Sequence, residues 1–137
     1  MSYLIDTCAL SELIKPQPAK NVTQWFDSVP QESLHISALT LGEIRKGVEK
    51  LQDGQRRSRI CAWLEVELPA WFEERILPVD AQVADEWGRM TARLKKQIPA
   101  IDGLLAATAL RHRLVVVTRN GSDFAATGVD ILDPWQA

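Results

Sequence analysis

Apolar positions in this chain alternate between short unbroken runs and longer stretches where they recur every three or four residues. The first pattern signals a buried strand and the second an amphipathic helix. Tyr3-Leu4-Ile5 is a run of the first kind, closed by Asp6-Thr7. Leu10, Leu13 and Ile14 then recur at helical spacing until Pro16 and Pro18 end the segment. A second helix is predicted over Lys20 to Ser28, stopping before Pro30. Leu34-His35-Ile36-Ser37 predicts a second strand, followed by a helix from about Thr40 to Leu51 that Asp53-Gly54 breaks. The next helix starts near Gln55 with Ile60, Trp63, Leu64 and Leu68 on one face, and Pro69 interrupts or kinks it. Ile76-Leu77-Pro78-Val79 predicts a short strand, placed at an edge by Pro78. Val83, Trp87, Met90 and Leu94 mark a helix from Ala81 to Lys96, and an Ala- and Leu-rich helix follows from Ile101 to Arg113. Leu114-Val115-Val116-Val117, apolar and β-branched, suits the centre of a parallel sheet. Ile131-Leu132 adds a last short strand.

Strands alternate with helices throughout, with no internal repeat or low-complexity segment. The fold class that fits is α/β, a mainly parallel sheet with helices on both faces. At 137 residues the chain is expected to be one domain over residues 1–137. In open sheets of this kind ligands bind beyond the carboxyl ends of the strands, which directs the search for chemistry to that edge.

Composition narrows the setting. Hydrophobic residues make up 46% and charged residues 25%, as for a packed soluble core. No apolar run approaches the roughly 20 residues needed to span a bilayer. The opening Met-Ser-Tyr-Leu-Ile-Asp lacks the pattern of a secretory signal. Cys8 and Cys61 are far apart and outside any C-x-x-C pattern, so neither a disulfide framework nor a zinc site is indicated, and a reducing cytoplasm is the expected location. The net charge of −2 is not that of a strongly basic nucleic-acid binder. If four carboxylates belong to one metal site, however, the remainder of the surface is slightly positive.

Four acids are candidates for a common edge. Asp6 directly follows the first strand, and Asp123 lies beyond Val117 in the loop Thr118-Arg119-Asn120-Gly121-Ser122. Glu43 is placed in the first turn of the helix after the second strand, and Asp102 in the first turn of the helix opened by Pro99. Each also has an ordinary structural reading. Asp6 or Thr7 can N-cap a helix. Thr40-x-x-Glu43 has the form of a capping box. Asp102 complements a helix dipole, and Asp123 beside Asn-Gly-Ser is common turn chemistry. Taken together, four unpaired carboxylates at one edge are costly, since each pair repels by roughly 4 kcal/mol at 4 Å and an effective dielectric of 20. A hard divalent cation such as Mg²⁺ or Mn²⁺ reverses the sign of that cost. Such a cation can activate water and stabilise charge on phosphate oxygens.

The segments around these acids resemble a known family. Leu4-Ile5-Asp6-Thr7-Cys8-Ala9-Leu10-Ser11-Glu12 is similar to the opening motif of PIN-domain nucleases. Ser37-Ala38-Leu39-Thr40-Leu41-Gly42-Glu43-Ile44-Arg45-Lys46-Gly47 is similar to the segment with their second acid. Ile101-Asp102-Gly103-Leu104-Leu105-Ala106-Ala107-Thr108-Ala109 and Thr118-Arg119-Asn120-Gly121-Ser122-Asp123-Phe124 resemble the third and fourth. The resemblance covers the chain in order and is closest to VapC-type toxins of bacterial type II toxin–antitoxin systems, including FitB-like proteins. It implies a PIN-like three-layer α/β/α fold and a Mg²⁺- or Mn²⁺-dependent endoribonuclease. It further implies a homodimer neutralised by a cognate antitoxin, with a higher toxin–antitoxin complex on operator DNA. By the same resemblance Asp6, Glu43, Asp102 and Asp123 hold the metal, and Thr118 orients a water or a neighbouring acid. Cys8 departs from the Asn that many relatives carry.

Among the remaining residues, Arg119 is the basic side chain expected near the acids, as a substrate contact. Arg45-Lys46, Arg56-Arg57 and the Arg89, Arg93 and Lys96 face read as solvated helix surface. The tryptophans read as core or interface packing, with Trp25-Phe26 and Trp63-Leu64 forming a groove for an antitoxin helix. His35 and His112 read as structural. A haloacid-dehalogenase-type phosphatase needs Asp-x-Asp after its first strand, whereas Asp6-Thr7-Cys8 has no second Asp, and receiver domains match poorly. The competing reading is a non-catalytic or DNA-directed binding protein that acts in operon regulation with its antitoxin.

Overall fold

The computed structural model describes residues 1–137. Five strands, β1 (Tyr3–Ile5), β2 (Leu34–Ser37), β3 (Ile76–Leu77), β4 (Val115–Val117) and β5 (Ile131–Leu132), form one sheet in the order β3-β2-β1-β4-β5. Every neighbouring pair is parallel, so the mainly parallel sheet expected from the sequence is wholly so.

The sheet is covered on both faces, and alternate residues of the central strands show how. Ile5 and Val117 pack into one core with Leu10 of helix α1 (Thr7–Glu12) and with Val22, Trp25 and Phe26 of α2 (Lys20–Ser28). The same core takes Ile44 and Val48 of α3 (Ala38–Glu49), then Trp63 and Leu64, which follow α4 (Gln55–Ala62), and Phe72 of α5 (Leu68–Phe72). Leu4 and Val116 face the other way, against Met90 of α6 (Ala81–Arg93), Leu105, Ala106 and Ala109 of α7 (Ala100–His112) and Phe124 of α8 (Gly121–Phe124). Three layers result. Leu4 and Ile5 are both fully buried, each contributing roughly 2 kcal/mol. A one-residue slip would exchange their faces, so the register of β1 is firmly set.

Several elements differ in extent from the sequence-based expectation. Helix α1 ends at Glu12 instead of running to Pro16, and α6 ends at Arg93 instead of Lys96. α3 begins two residues earlier than expected because Ser37 caps it, its side-chain oxygen accepting from the Leu39 amide at 3.0 Å. Pro69 does not break the segment that starts at Gln55. A π-helical turn, Trp63–Glu67, precedes α5, and the Leu68 amide donates to the Trp63 carbonyl five residues back. The wider turn takes the chain past a residue that has no N–H to donate.

Candidate active site

β1 lies between β2 and β4, the point where the strand order reverses and a crevice opens at the carboxyl edge. Ile5 pairs with Val117, so the next residues on each strand, Asp6 and Thr118, leave the sheet side by side. The Thr118 hydroxyl donates to Asp6 Oδ2 at 2.8 Å and accepts from the Asn120 amide at 3.0 Å. Asp6 Oδ1 accepts from the Thr7 amide at 2.8 Å, so Asp6 also caps α1. Both Asp6 and Thr118 are buried, and each oxygen of the Asp6 carboxylate has an assigned donor.

Glu43 lies in the second turn of α3, not the first, because that helix starts at Ala38. The capping box expected between Thr40 and Glu43 does not form. Ser37 takes the cap, Thr40 is buried with its hydroxyl unpaired, and Glu43 Oε1 accepts from the Thr7 hydroxyl at 2.5 Å. Thr7 therefore links the acid on α3 to the end of β1. In the sequence Thr7 offered only a capping signal, since its partner stands 36 positions away.

Asp102 is in the first turn of α7, and no side-chain cap bond forms at that helix start. Asp123 is not in an open turn as expected. It belongs to the one-turn helix α8, its amide donating to the Asn120 carbonyl at 3.0 Å. The four acids share one electrostatic environment. Burial, and then the charges of Asp6, Asp123 and Glu43, push the Asp102 carboxyl above its ordinary value. Cys8, beside Asp6 Oδ2 at 3.6 Å and Thr118 Oγ1 at 3.5 Å, has its thiol pushed up chiefly by burial, with the Asp6 charge acting in the same sense. The nearby Arg119 backbone opposes this.

No three Asp, Glu, His or Cys side chains stand close enough to hold one ion directly among themselves. The donor set is nevertheless all hard oxygen, and the carboxylates act on one another. Such a site fits a small cation that keeps several of its waters and takes one or two carboxylates directly, not a closed protein cage.

The Arg119 guanidinium lies over the Trp135 ring, 4.2 Å from its centroid, and makes no side-chain hydrogen bond or ion pair. The other basic clusters largely serve structure. Arg57 donates to the Val48 and Leu51 carbonyls at the end of α3, and Arg45 and Arg89 pair with acids on the surface. The groove expected between Trp25-Phe26 and Trp63-Leu64 is absent, because all four side chains are buried in the first core. A cavity of about 250 Å³ does lie beside the acids, between α1, α3 and α4, with Thr7, Glu43, Ile44, Ile60 and Trp63 among its lining. Glu12 is a further buried acid, held below its ordinary value mainly by Lys15 and by the Ala19 amide, and it ties α1 to the loop before α2.

No helix is long and apolar enough to cross a membrane. Residues 3–129 match the family described as PIN domain. The chain is 38% identical to "Toxin FitB" of Neisseria gonorrhoeae, over 96% of this chain and 97% of that one. It is 37% identical to "VapC ribonuclease Y4jK" of Sinorhizobium fredii, over 97% of each. The structure of FitAB bound to an IR36 DNA fragment matches with a TM-score of 0.89 and 36% identity, covering 97% of this chain and 95% of that one. Nucleases of this group are in general dependent on a divalent metal. With its parallel sheet, its acids drawn to one edge and these relatives along almost its whole length, the chain belongs to the PIN domain family, in the branch that holds the FitB and VapC toxins.

Proposed function

We propose that the chain is a metal-dependent endoribonuclease, the toxin of a type II toxin–antitoxin module, with Mg²⁺ or Mn²⁺ held at the edge formed by Asp6, Glu43, Asp102 and Asp123, one or two of them directly and the others through its waters. The observation that carries the reading is Asp102, a carboxyl pushed upward first by burial and then by the charges of Asp6, Asp123 and Glu43, which reach it from separate segments of the chain. A fold gains nothing in stability from that convergence unless a cation joins it. A bound divalent cation supplies an activated water and neutralises charge on the phosphate oxygens. Thr118 fixes the Asp6 carboxylate through its hydroxyl, and Thr7 does the same for Glu43. Cys8 stays a protonated thiol at neutral pH and is not a nucleophile.

The RNA class of activity is supported by the name of the VapC ribonuclease relative, and the toxin role by that of FitB. A cognate antitoxin is the expected partner, the toxin acting as a homodimer within a complex on operator DNA; the DNA-bound complex is supported by the relative FitAB, whose structure is bound to an IR36 DNA fragment. A single domain over residues 1–137 and a cytoplasmic location complete the reading.

The test is cleavage of total cellular RNA, and of DNA of matched length, by antitoxin-free protein with Mg²⁺, Mn²⁺ or EDTA. Asp6→Asn and Asp102→Asn are run beside the wild type. Discrete RNA products that need the metal and vanish in both folded variants are the expected result. Cleavage that persists in the variants would overturn the site, cleavage of DNA alone would move the activity to the DNA-directed reading, and a wild type inert on both would favour the binding role.

A further inference from the structure

The last turn of the chain reaches back to the site. After β5, the Trp135 amide donates to Asp133 Oδ1 at 2.9 Å, and the Trp135 carbonyl accepts from Asn21 Nδ2 at 2.8 Å. These bonds fix the backbone on either side of the ring, which packs against the first core. Trp135 Nε1 is buried without a hydrogen-bond partner, so the ring is not held there by its polar edge. What it presents is a π face, and Arg119 occupies that face.

Arg119 directly follows Thr118, whose hydroxyl bonds Asp6 and whose amide donates to the Leu132 carbonyl at 3.0 Å. Its backbone is therefore tied to the acidic edge while its side chain is exposed. Glu12, which feels the Arg119 charge, is already bonded to Lys15 and to the Ala19 amide. The guanidinium thus keeps its fork of N–H donors unengaged by protein, with its orientation set by the tryptophan. That is the arrangement suited to bidentate capture of a phosphate.

We infer that Trp135 is a positioning residue that holds Arg119 ready to take a backbone phosphate of the RNA strand beside the one cleaved. The inference rests on the ribonuclease reading for its ligand, but it is tested by binding and not by turnover. A tryptophan face on an exposed guanidinium restricts its rotamers and contributes a cation–π attraction. Loss of that face should weaken RNA binding about three- to fivefold. Loss of the guanidinium should weaken it about tenfold and lower the salt slope of binding by about one.

The probe is a labelled 12-nucleotide single-stranded RNA of mixed sequence, titrated with Mg²⁺ onto protein carrying Asp102→Asn. Trp135→Phe should bind within about twofold of that background, because the aromatic face remains. Trp135→Leu, which keeps bulk without a π face, should lose about three- to fivefold, and so should Trp135→Ala if it folds. Adding Trp135→Leu to Arg119→Ala should cost nothing further. Leucine binding as well as phenylalanine, or a loss that adds in full to that of Arg119→Ala, would overturn the inference. So would RNA binding indifferent to Arg119 or absent altogether. If wild-type protein cleaves RNA while these variants bind alike, the inference fails and the nuclease stands. If the binding pattern holds without cleavage, the nuclease fails while the phosphate contact of Arg119 held by Trp135 stands.

Discussion

Gly103 sits beside Asp102 in α7, where two opposing effects of one substitution can be weighed. An alanine in a helix interior is favoured over glycine by about 1 kcal/mol. At Gly103 an added Cβ would stand 2.9 Å from Trp87 Nε1, 3.2 Å from Trp87 Cδ1 and 3.6 Å from Ile98 Cδ1. The nearest of these is closer than packed atoms tolerate, and it belongs to an indole whose Nε1 is buried and cannot swing out freely. Overpacking of this kind costs roughly 1–3 kcal/mol, so Gly103→Ala should be net destabilising by about 1 kcal/mol. Gly88, on the facing helix α6, is the control. Nothing lies within 4 Å of its added Cβ, so Gly88→Ala should stabilise by about 0.5–1 kcal/mol. Two chemically identical changes should therefore separate by about 2 kcal/mol, with opposite signs. Urea unfolding with an unchanged m-value reads the difference, and a thermal scan should separate the midpoints by roughly 6–10 °C for a domain of this size. Gly103→Ala as stable as Gly88→Ala would refute the reasoning. A second arm adds Trp87→Leu, which vacates the clash. Gly103→Ala should then cost less than it does in wild-type protein, and a coupling near zero would also count against the argument.

Thr118→Val keeps the volume of a buried residue but removes the hydroxyl from the Asp6 carboxylate. A hydrogen bond to a charged group contributes about 1.5–3 kcal/mol, so a loss of about 2 kcal/mol is expected in urea unfolding of metal-free protein, with Thr118→Ser retaining more of the stability. A valine variant as stable as wild type would show that the bond does not matter to Asp6. Asp102 gives a pH dependence with a definite sign. Its carboxyl is raised above the ordinary value of 3.8, so the folded state holds that proton more tightly than the unfolded state does. Metal-free stability should therefore fall as pH rises from that ordinary value through the raised one, and Asp102→Asn should flatten this part of the profile and be the more stable protein at neutral pH. Denaturation midpoints between pH 4 and 8, measured in EDTA, test it, and parallel profiles for the two proteins would contradict it.

The sequence made the sheet legible because its strands are apolar runs interrupted by proline, glycine and polar turns. Leu114-Val115-Val116-Val117 could hardly be anything else, and β4 falls there save for its first residue. Helix ends were harder to place, since several caps compete locally. Ser37, Thr40 and Glu43 all carry capping chemistry, and it is Ser37, at the end of β2, whose side chain turns back on α3 to accept from the Leu39 amide. The acids were found through motif resemblance, not periodicity, because nothing local brings Asp6 and Thr118 together across 112 positions. What stayed hidden were relations between distant residues: Thr7 with Glu43, Arg119 with Trp135, and the burial of Trp63 and Leu64, whose helical spacing fits a core face and a docking face equally well.

The order of strands in the sheet also fixes when, during synthesis, the acidic edge is completed. β1 and Asp6 leave the ribosome first, with β2 and the Glu43 helix soon after, yet the strand that completes the other side of β1 is β4, near the end of synthesis. Until Val115–Val117 emerges and inserts beside β1, Asp6 has no Thr118, and Asp123 has not been made. A chain stalled or truncated before that strand carries two or three of the acids and no assembled edge. The proposed activity is therefore completed only in the last moments of translation, and nascent fragments lack the edge it needs.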